Sequence, residues 1–249
     1  MTQPISMPWS APAFIPPPHR WQGVRMIVFP FSPAPGAVEK ILPPALKPTG
    51  GAGLITLINY PANGQIHPFK ELVVLVPVKV MGSEGNYVPY IYVTTDEALI
   101  PGREIAGFPK KIADVVWERN GNRFRGSVTR WDKRILELEG TIDAPVPLEL
   151  AAAQSEATLR PTINYKLIPG PAGEIEVEEI TSVQLEIVQR EVEMGFGRVR
   201  CEPSDFDPLS ELIPPSEGPM VAILSDNTIP AGQVLQRIER RAPQRSVAV

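Results

Sequence analysis

Leu72-Val73-Val74-Leu75-Val76-Pro77-Val78-Lys79-Val80 and Tyr87-Val88-Pro89-Tyr90-Ile91-Tyr92-Val93-Thr94 flank Gly82-Ser83-Glu84-Gly85-Asn86. Both runs are crowded with β-branched and aromatic residues, which suit a pleated surface. The Gly-rich segment between them reads as a turn. Two strands joined by a turn are therefore expected here, and the same grammar extends outward. Met26 to Phe29 and Leu54 to Tyr60 are strand candidates. Ala113 to Arg119 and Arg123 to Arg130 flank Asn120-Gly121-Asn122, a hairpin signature. Arg134 to Ile142 alternates apolar and polar side chains, as a half-buried strand does. Arg160 to Ile168, Glu174 to Glu193 and Val221 to Leu224 complete the set, with Gly195-Phe196-Gly197 read as a break in the pattern. Helical signals are short: Pro35 to Leu42 carries an apolar stripe, and Thr95-Asp96-Glu97 is placed to cap one turn through Leu99.

Composition agrees. The chain has 249 residues and 30 prolines. Proline ends helices and avoids central strands, so scattered prolines favour many short strands over long helices. The fold class is mainly β (α+β). Residues 1–20, with Pro16-Pro17-Pro18, read as an extended arm that packs on the body or on a neighbouring subunit. Residues 21–249 read as a single domain, because no linker or internal repeat divides them. The net charge of -4 argues against a nucleic-acid surface. No window offers the ~18 uninterrupted apolar residues of a membrane span, and the N-terminus lacks the pattern of a signal peptide. Cys201 is the single cysteine, which excludes an intrachain disulfide and fits a reducing, cytoplasmic setting. His19 and His67 are the only histidines, too few with one cysteine for an ordinary zinc site. Neither HExxH, a P-loop nor GxGxxG is present.

The chemistry concentrates in Gly102-Arg103-Glu104-Ile105-Ala106-Gly107-Phe108-Pro109-Lys110-Lys111. Two adjacent lysines follow an apolar, proline-stiffened approach, and Ile112-Ala113 comes next. An amine becomes a nucleophile at neutral pH only if its proton is made easier to lose. A neighbouring ammonium and an apolar surround both do so. Adjacent residues of an extended chain point to opposite faces, so only one of the two lysines enters a pocket.

This run resembles the Schiff-base motif of the acetoacetate decarboxylase family, which is itself the standing example of an amine activated in this way. Further blocks fall in the family's order: Pro12-Ala13-Phe14, Trp21 to Arg25, Ala37 to Pro43, Glu71 to Val78, Arg160-Pro161 with Lys166-Leu167-Ile168-Pro169, and Pro208-Leu209 onward. The resemblance implies a closed antiparallel β-barrel or cone with surrounding sheet and an apolar interior pocket. It assigns the imine to Lys110 and a supporting positive field to Lys111. It makes Glu71 the active-site carboxylate, which shuttles protons, and Arg25 the binder of the substrate carboxylate, a task suited to a guanidinium. Phe108 replaces a tyrosine often found before Pro-Lys-Lys and makes the pocket more apolar. Thr56 stands about where the family's decarboxylases carry a second acidic residue.

The expected function is a lyase that decarboxylates a β-keto acid through a lysine imine and enamine, with no metal and no organic cofactor. Its partner is a small-molecule keto acid, and the assembly a homo-oligomer. Two alternatives stay open. One is a pyruvate-type aldolase–dehydratase using the same lysine, which the loss of an acid at Thr56 brings forward. The other is a small-molecule-binding β-barrel whose lysine does not turn over.

Overall fold

A computed structural model describes residues 5–150 and 159–239 of the chain. Its strands are β1 (His19–Phe31), β2 (Lys47–Pro48), β3 (Gly53–Tyr60), β4 (Phe69–Val80), β5 (Ser83–Val93), β6 (Lys110–Ile112) and β7 (Asp114–Asn120). They continue as β8 (Arg123–Arg130), β9 (Lys133–Pro145), β10 (Thr162–Pro169), β11 (Ile175–Val183), β12 (Glu186–Cys201), β13 (Ser216–Ile229) and β14 (Gln233–Arg237). Short helices α1 (Ala37–Ile41), α2 (Asp96–Pro101) and α3 (Leu209–Leu212) decorate them, and α2 runs on as a π-helical turn over Gly102–Ala106. The chain is mainly β, as its sequence indicates.

Twelve strands form one continuous path, β14-β11-β10-β5-β4-β3-β1-β13-β12-β9-β8-β7, with β2 and β6 branching from β4 and β5. The path has two ends, so the closed barrel expected from the resemblance is corrected to an open sheet. The sheet nonetheless folds over itself: β7 packs across β3, β4 and β5, and a Cβ at Gly126 of β8 would press on the Leu57 side chain of β3. Central strands are thus buried on both faces. Ile55, Leu57, Leu72 and Val74 enter one core, while Leu54, Ile58, Val73 and Leu75 enter the other. Burial on both sides is why these strands read as unbroken apolar runs rather than alternating ones.

Three local readings change. The hairpin between β4 and β5 turns on Met81-Gly82 alone, both at positive φ (48° and 87°), and Ser83 to Asn86 already belong to β5. Two left-handed residues match the twist of the flanking strands, which a longer loop does not need. Gly195-Phe196-Gly197 does not break the pattern, because β12 runs through it. The glycines there serve close strand approach: a Cβ on Gly195 would stand 2.0 Å from the Thr141 carbonyl oxygen. Finally, the arm ends one residue before His19, where β1 begins, and residues 1–4 of the arm lie outside the described residues.

Candidate active site

Lys110 opens β6, which pairs in parallel with the end of β5, Ile91 opposite Lys110. The register continues across the sheet: Ile91 faces Val73, Val73 faces Thr56, and Thr56 faces Val28. These five side chains line one cavity, because positions directly opposite share a face. The adjoining row contributes Ile58 and Glu71, a cross-strand pair. Lys110 and Glu71 are both buried, and Lys110 Nζ donates to Glu71 Oε2 at 2.8 Å. The cavity proper holds about 90 Å³ and opens to solvent at its mouth. Its wall is otherwise chiefly aliphatic, so the pair has little solvent to screen it. Phe108 also lines it, with its ring centroid 5.7 Å from Lys110 Nζ.

Lys111 points the other way, as the alternation of an extended strand requires. Its ammonium donates to Asp207 Oδ1 at 2.7 Å and to the Phe206 carbonyl. Arg130 and the Tyr92 hydroxyl meet the same fully buried carboxylate. Burial raises the Asp207 pKa, but the bonds from Lys111 and Tyr92 and the charges of Lys111 and Arg130 outweigh it, and the carboxyl lies below its usual range. Lys111 is thus paired with Asp207 on the face away from Lys110.

The reading of Arg25 is corrected. It is exposed and lies in a groove with Trp117, Arg119, Glu191 and Glu193, outside the lysine cavity. Its neighbours Val24 and Met26 take the inner face, and one step along a strand reverses the side. His67 is exposed and paired with Glu97. Cys201 is buried, and its thiol is pushed up to about 12, chiefly by desolvation, so it is no nucleophile.

Several residues enter to which the sequence assigned no role in the site. Tyr60, Asn227 and Arg160 line the lysine cavity. Burial and then the Glu71 charge hold the Tyr60 hydroxyl well above its ordinary range, partly offset by a hydrogen bond with Asn227. A second chamber of about 70 Å³ meets the first at Phe108 and Lys110 and is lined by His19. His19 is buried with no partner for Nδ1, and burial followed by the Lys110 charge lowers its pKa, which favours the neutral ring. Thr56 Oγ1, buried in the first cavity, likewise has no partner. Only the pairing of distant strands brings these groups together, so no local motif announces them.

The approach run acts as a mould for Lys110. Arg103 donates to the Lys110 carbonyl at 3.1 Å. Thr181 and Lys166 hold the carbonyls of Ala106 and Ile105, which the end of the π-helical turn leaves free. Gly102 lies against the lysine stem: a Cβ there would come within 2.6 Å of Lys110 Cδ and 2.7 Å of Cε. Its backbone is right-handed helical, so alanine fits the chain but not the lysine. Gly102→Ala is expected to leave the melting temperature nearly unchanged while displacing the Lys110 amine, slowing by about tenfold to a hundredfold any reaction of that amine with a bound ketone, the cost of a misplacement near 1 Å. Parallel melting and borohydride-trapping measurements check this; an unaltered trapping rate would mean the stem accommodates the methyl.

Among the described residues there is no group of three or more His, Cys, Asp or Glu side chains placed to hold a metal ion, and no helix long and apolar enough to cross a membrane. Comparison with known proteins places this geometry. Over 114 residues the chain is 30% identical to acetoacetate decarboxylase 3 of Mesorhizobium japonicum, an alignment spanning 46% of this chain and 44% of that one. The crystal structure of acetoacetate decarboxylase from Legionella pneumophila superposes with a TM-score of 0.84 at 23% identity, covering 94% of each chain. The enduracididine biosynthesis enzyme MppR, in its complex with pyruvate, superposes at 0.79 and 18% identity over 94% of this chain and 97% of its own. The model of the acetoacetate decarboxylase family matches residues 2–238. With nearly its whole length accounted for by that one match, the chain belongs to the acetoacetate decarboxylase family.

Proposed function

We propose that the chain is a Schiff-base lyase that decarboxylates a β-keto acid through Lys110. The observation that carries this reading is the buried Lys110–Glu71 contact of 2.8 Å in an apolar cavity. A proton passed from Nζ to Glu71 converts a buried ion pair into a free amine beside a neutral acid, leaving no unpaired charge. The amine attacks the ketone carbon, water leaves, and a protonated imine forms. The bond to the carboxylate carbon then breaks. Its electron pair moves into the iminium, carbon dioxide departs and an enamine remains. Glu71, which gives its proton to the departing water, takes one from solvent and is the group within reach to deliver it to the enamine carbon. Hydrolysis frees the product ketone and the lysine.

A second reading keeps the imine and enamine but captures an aldehyde in place of a proton. It is favoured by Thr56, which lines the cavity where a second acid is expected and offers only a hydroxyl. Product analysis separates the two: carbon dioxide from a β-keto acid, or condensation of pyruvate with an aldehyde.

Borohydride trapping with a panel of keto acids, followed by peptide mapping, tests the shared chemistry. Glu71→Gln keeps shape and hydrogen bonding but loses the titratable group. It is expected to form the trapped adduct more slowly but to the same final yield, while turnover falls by about 10²–10⁴-fold, the usual contribution of a general acid–base. Normal turnover in that variant would remove Glu71 from the mechanism.

A further inference from the structure

The cavity that holds Lys110 and Glu71 reaches one further charged side chain, Arg160. Its level in the sheet is set by two contacts. Thr162, two residues on, stands opposite Asn86 near the start of β5, and Arg160 itself pairs with Glu84 at 3.2 Å. Lys110 stands opposite Ile91, near the other end of the same strand. Seven residues separate Glu84 from Ile91, roughly 20 Å of strand once the β5 bulge is allowed for. The two charged ends therefore sit at opposite ends of the cavity, on the order of 10–20 Å apart according to how far each side chain leans along the strand. The wall between is apolar, with Leu75, Leu159 and Ile187.

Arg160 is weakly committed. Glu84, its partner, has a side chain 51% exposed, and an exposed pair of this kind is worth little. A substrate carboxylate at the mouth can take its place. Close to Lys110 the opposite holds. Arg25 is turned outward, Lys111 is tied to Asp207, and Glu71 is itself an anion. A carboxylate next to the reacting ketone finds no guanidinium there, only neutral groups such as the Thr56 hydroxyl, aliphatic side chains and the iminium. That setting favours its loss as a neutral gas, whereas a remote carboxylate on Arg160 is retained.

We infer that the cavity is built for an extended keto acid whose ketone meets Lys110 and whose remote carboxylate rests on Arg160, with an apolar chain of several carbons between. The inference rests on the imine reading of Lys110. Under decarboxylation the substrate class is a long 3-oxo dicarboxylic acid. The bond from the near carboxylate carbon to C2 breaks, its electrons enter the iminium, and carbon dioxide leaves. A proton then adds at C2 and water hydrolyses the imine. The product is a methyl ketone that still carries the far carboxylate.

Such methyl ketones are stable probes. Imine trapping with borohydride, read as mass added to the protein, is measured for acetone, 4-oxopentanoate, 7-oxooctanoate and 10-oxoundecanoate, each acid beside its methyl ester. The concentration giving half-maximal trapping is expected to fall with length, and for the longest acid to lie about tenfold or more below that of its ester, the worth of one charge-assisted bond. Arg160→Gln is expected to erase the acid-over-ester ratio, read within the variant so that overall loss of protein does not affect it. Glu84→Gln, which frees the guanidinium, is expected to raise that ratio. Equal trapping of long acid and ester by the wild type, preference for the shortest acid, or an unchanged ratio in Arg160→Gln would overturn the inference. Failure to trap any ketone, acetone included, would instead overturn the imine reading of Lys110, so the two failures are distinct.

Discussion

Lys110→Ala is expected to abolish the borohydride-trapped adduct and to lower turnover by roughly 10⁴-fold or more, the scale on which removal of a covalent nucleophile acts. Lys111 is not expected to substitute. It leaves the same short strand on the opposite face, and its ammonium is 2.7 Å from Asp207. The single substitution has a second effect that must be separated from the first. It strands Glu71, buried and carboxylate-bearing, without the cation that faces it. Breaking a buried pair from one side costs about 3–5 kcal/mol, because a charge is left uncompensated. Lys110→Ala combined with Glu71→Gln is therefore expected to recover most of the lost stability and none of the activity. Urea unfolding and peptide mapping of the reduced adduct, applied to the single and double variants, check both halves. An adduct on Lys111, or one formed at full yield in Lys110→Ala, would refute the assignment.

Asp207→Asn is expected to cost about 3 kcal/mol at neutral pH, at the low end of the loss for a broken buried pair. The carboxylate is fully buried and serves Lys111, Arg130 and Tyr92 at once. Asparagine still accepts from Tyr92 but leaves two cations facing each other. The figure stays low because the Lys111 side chain is 39% exposed and can turn to water. For a domain of this size it corresponds to a melting temperature lower by about 6–12 °C. The pH dependence has a definite sign. The folded pKa of Asp207 is depressed, so its contribution is present above the unfolded value of ~3.9 and is lost as pH falls through the folded value. The gap between wild type and Asp207→Asn is expected to shrink below about pH 4. A gap that persists undiminished at pH 3 would show that the carboxylate acts by packing alone. Because this cluster lies on the face away from Lys110, the variant is expected to form the imine on Lys110 wherever it remains folded.

The strands that carry the site were legible from local composition. Leu54 to Tyr60 and Leu72 to Val80 are apolar throughout because both faces of the sheet are covered there. The sequence also identified Glu71, Phe108 and Lys110, and the structure gathers all three in one cavity. The opposite faces of Lys110 and Lys111 follow from β geometry alone. Arg25 was beyond that reach, since a match displaced by one residue looks the same in sequence and yet reverses the side of the strand. Whether the sheet closed was also undetermined. Closure depends on which edges meet, and β14 and β7 remain edges. His19 and Asn227 gave no local signal, and the block that begins at Arg160 gave no hint that its guanidinium reaches this cavity, for they come to it only through pairings of β1, β13 and β10 that span much of the chain. The fate of the Lys111 charge was fixed by Asp207, 96 residues away in sequence. The sequence by itself determined the mainly β character and singled out the lysine and the carboxylate that meet in the cavity, because periodicity and adjacency act over a few residues. Only the tertiary structure decided which charges face the cavity, because an electrostatic environment is set by distance in space and not along the chain.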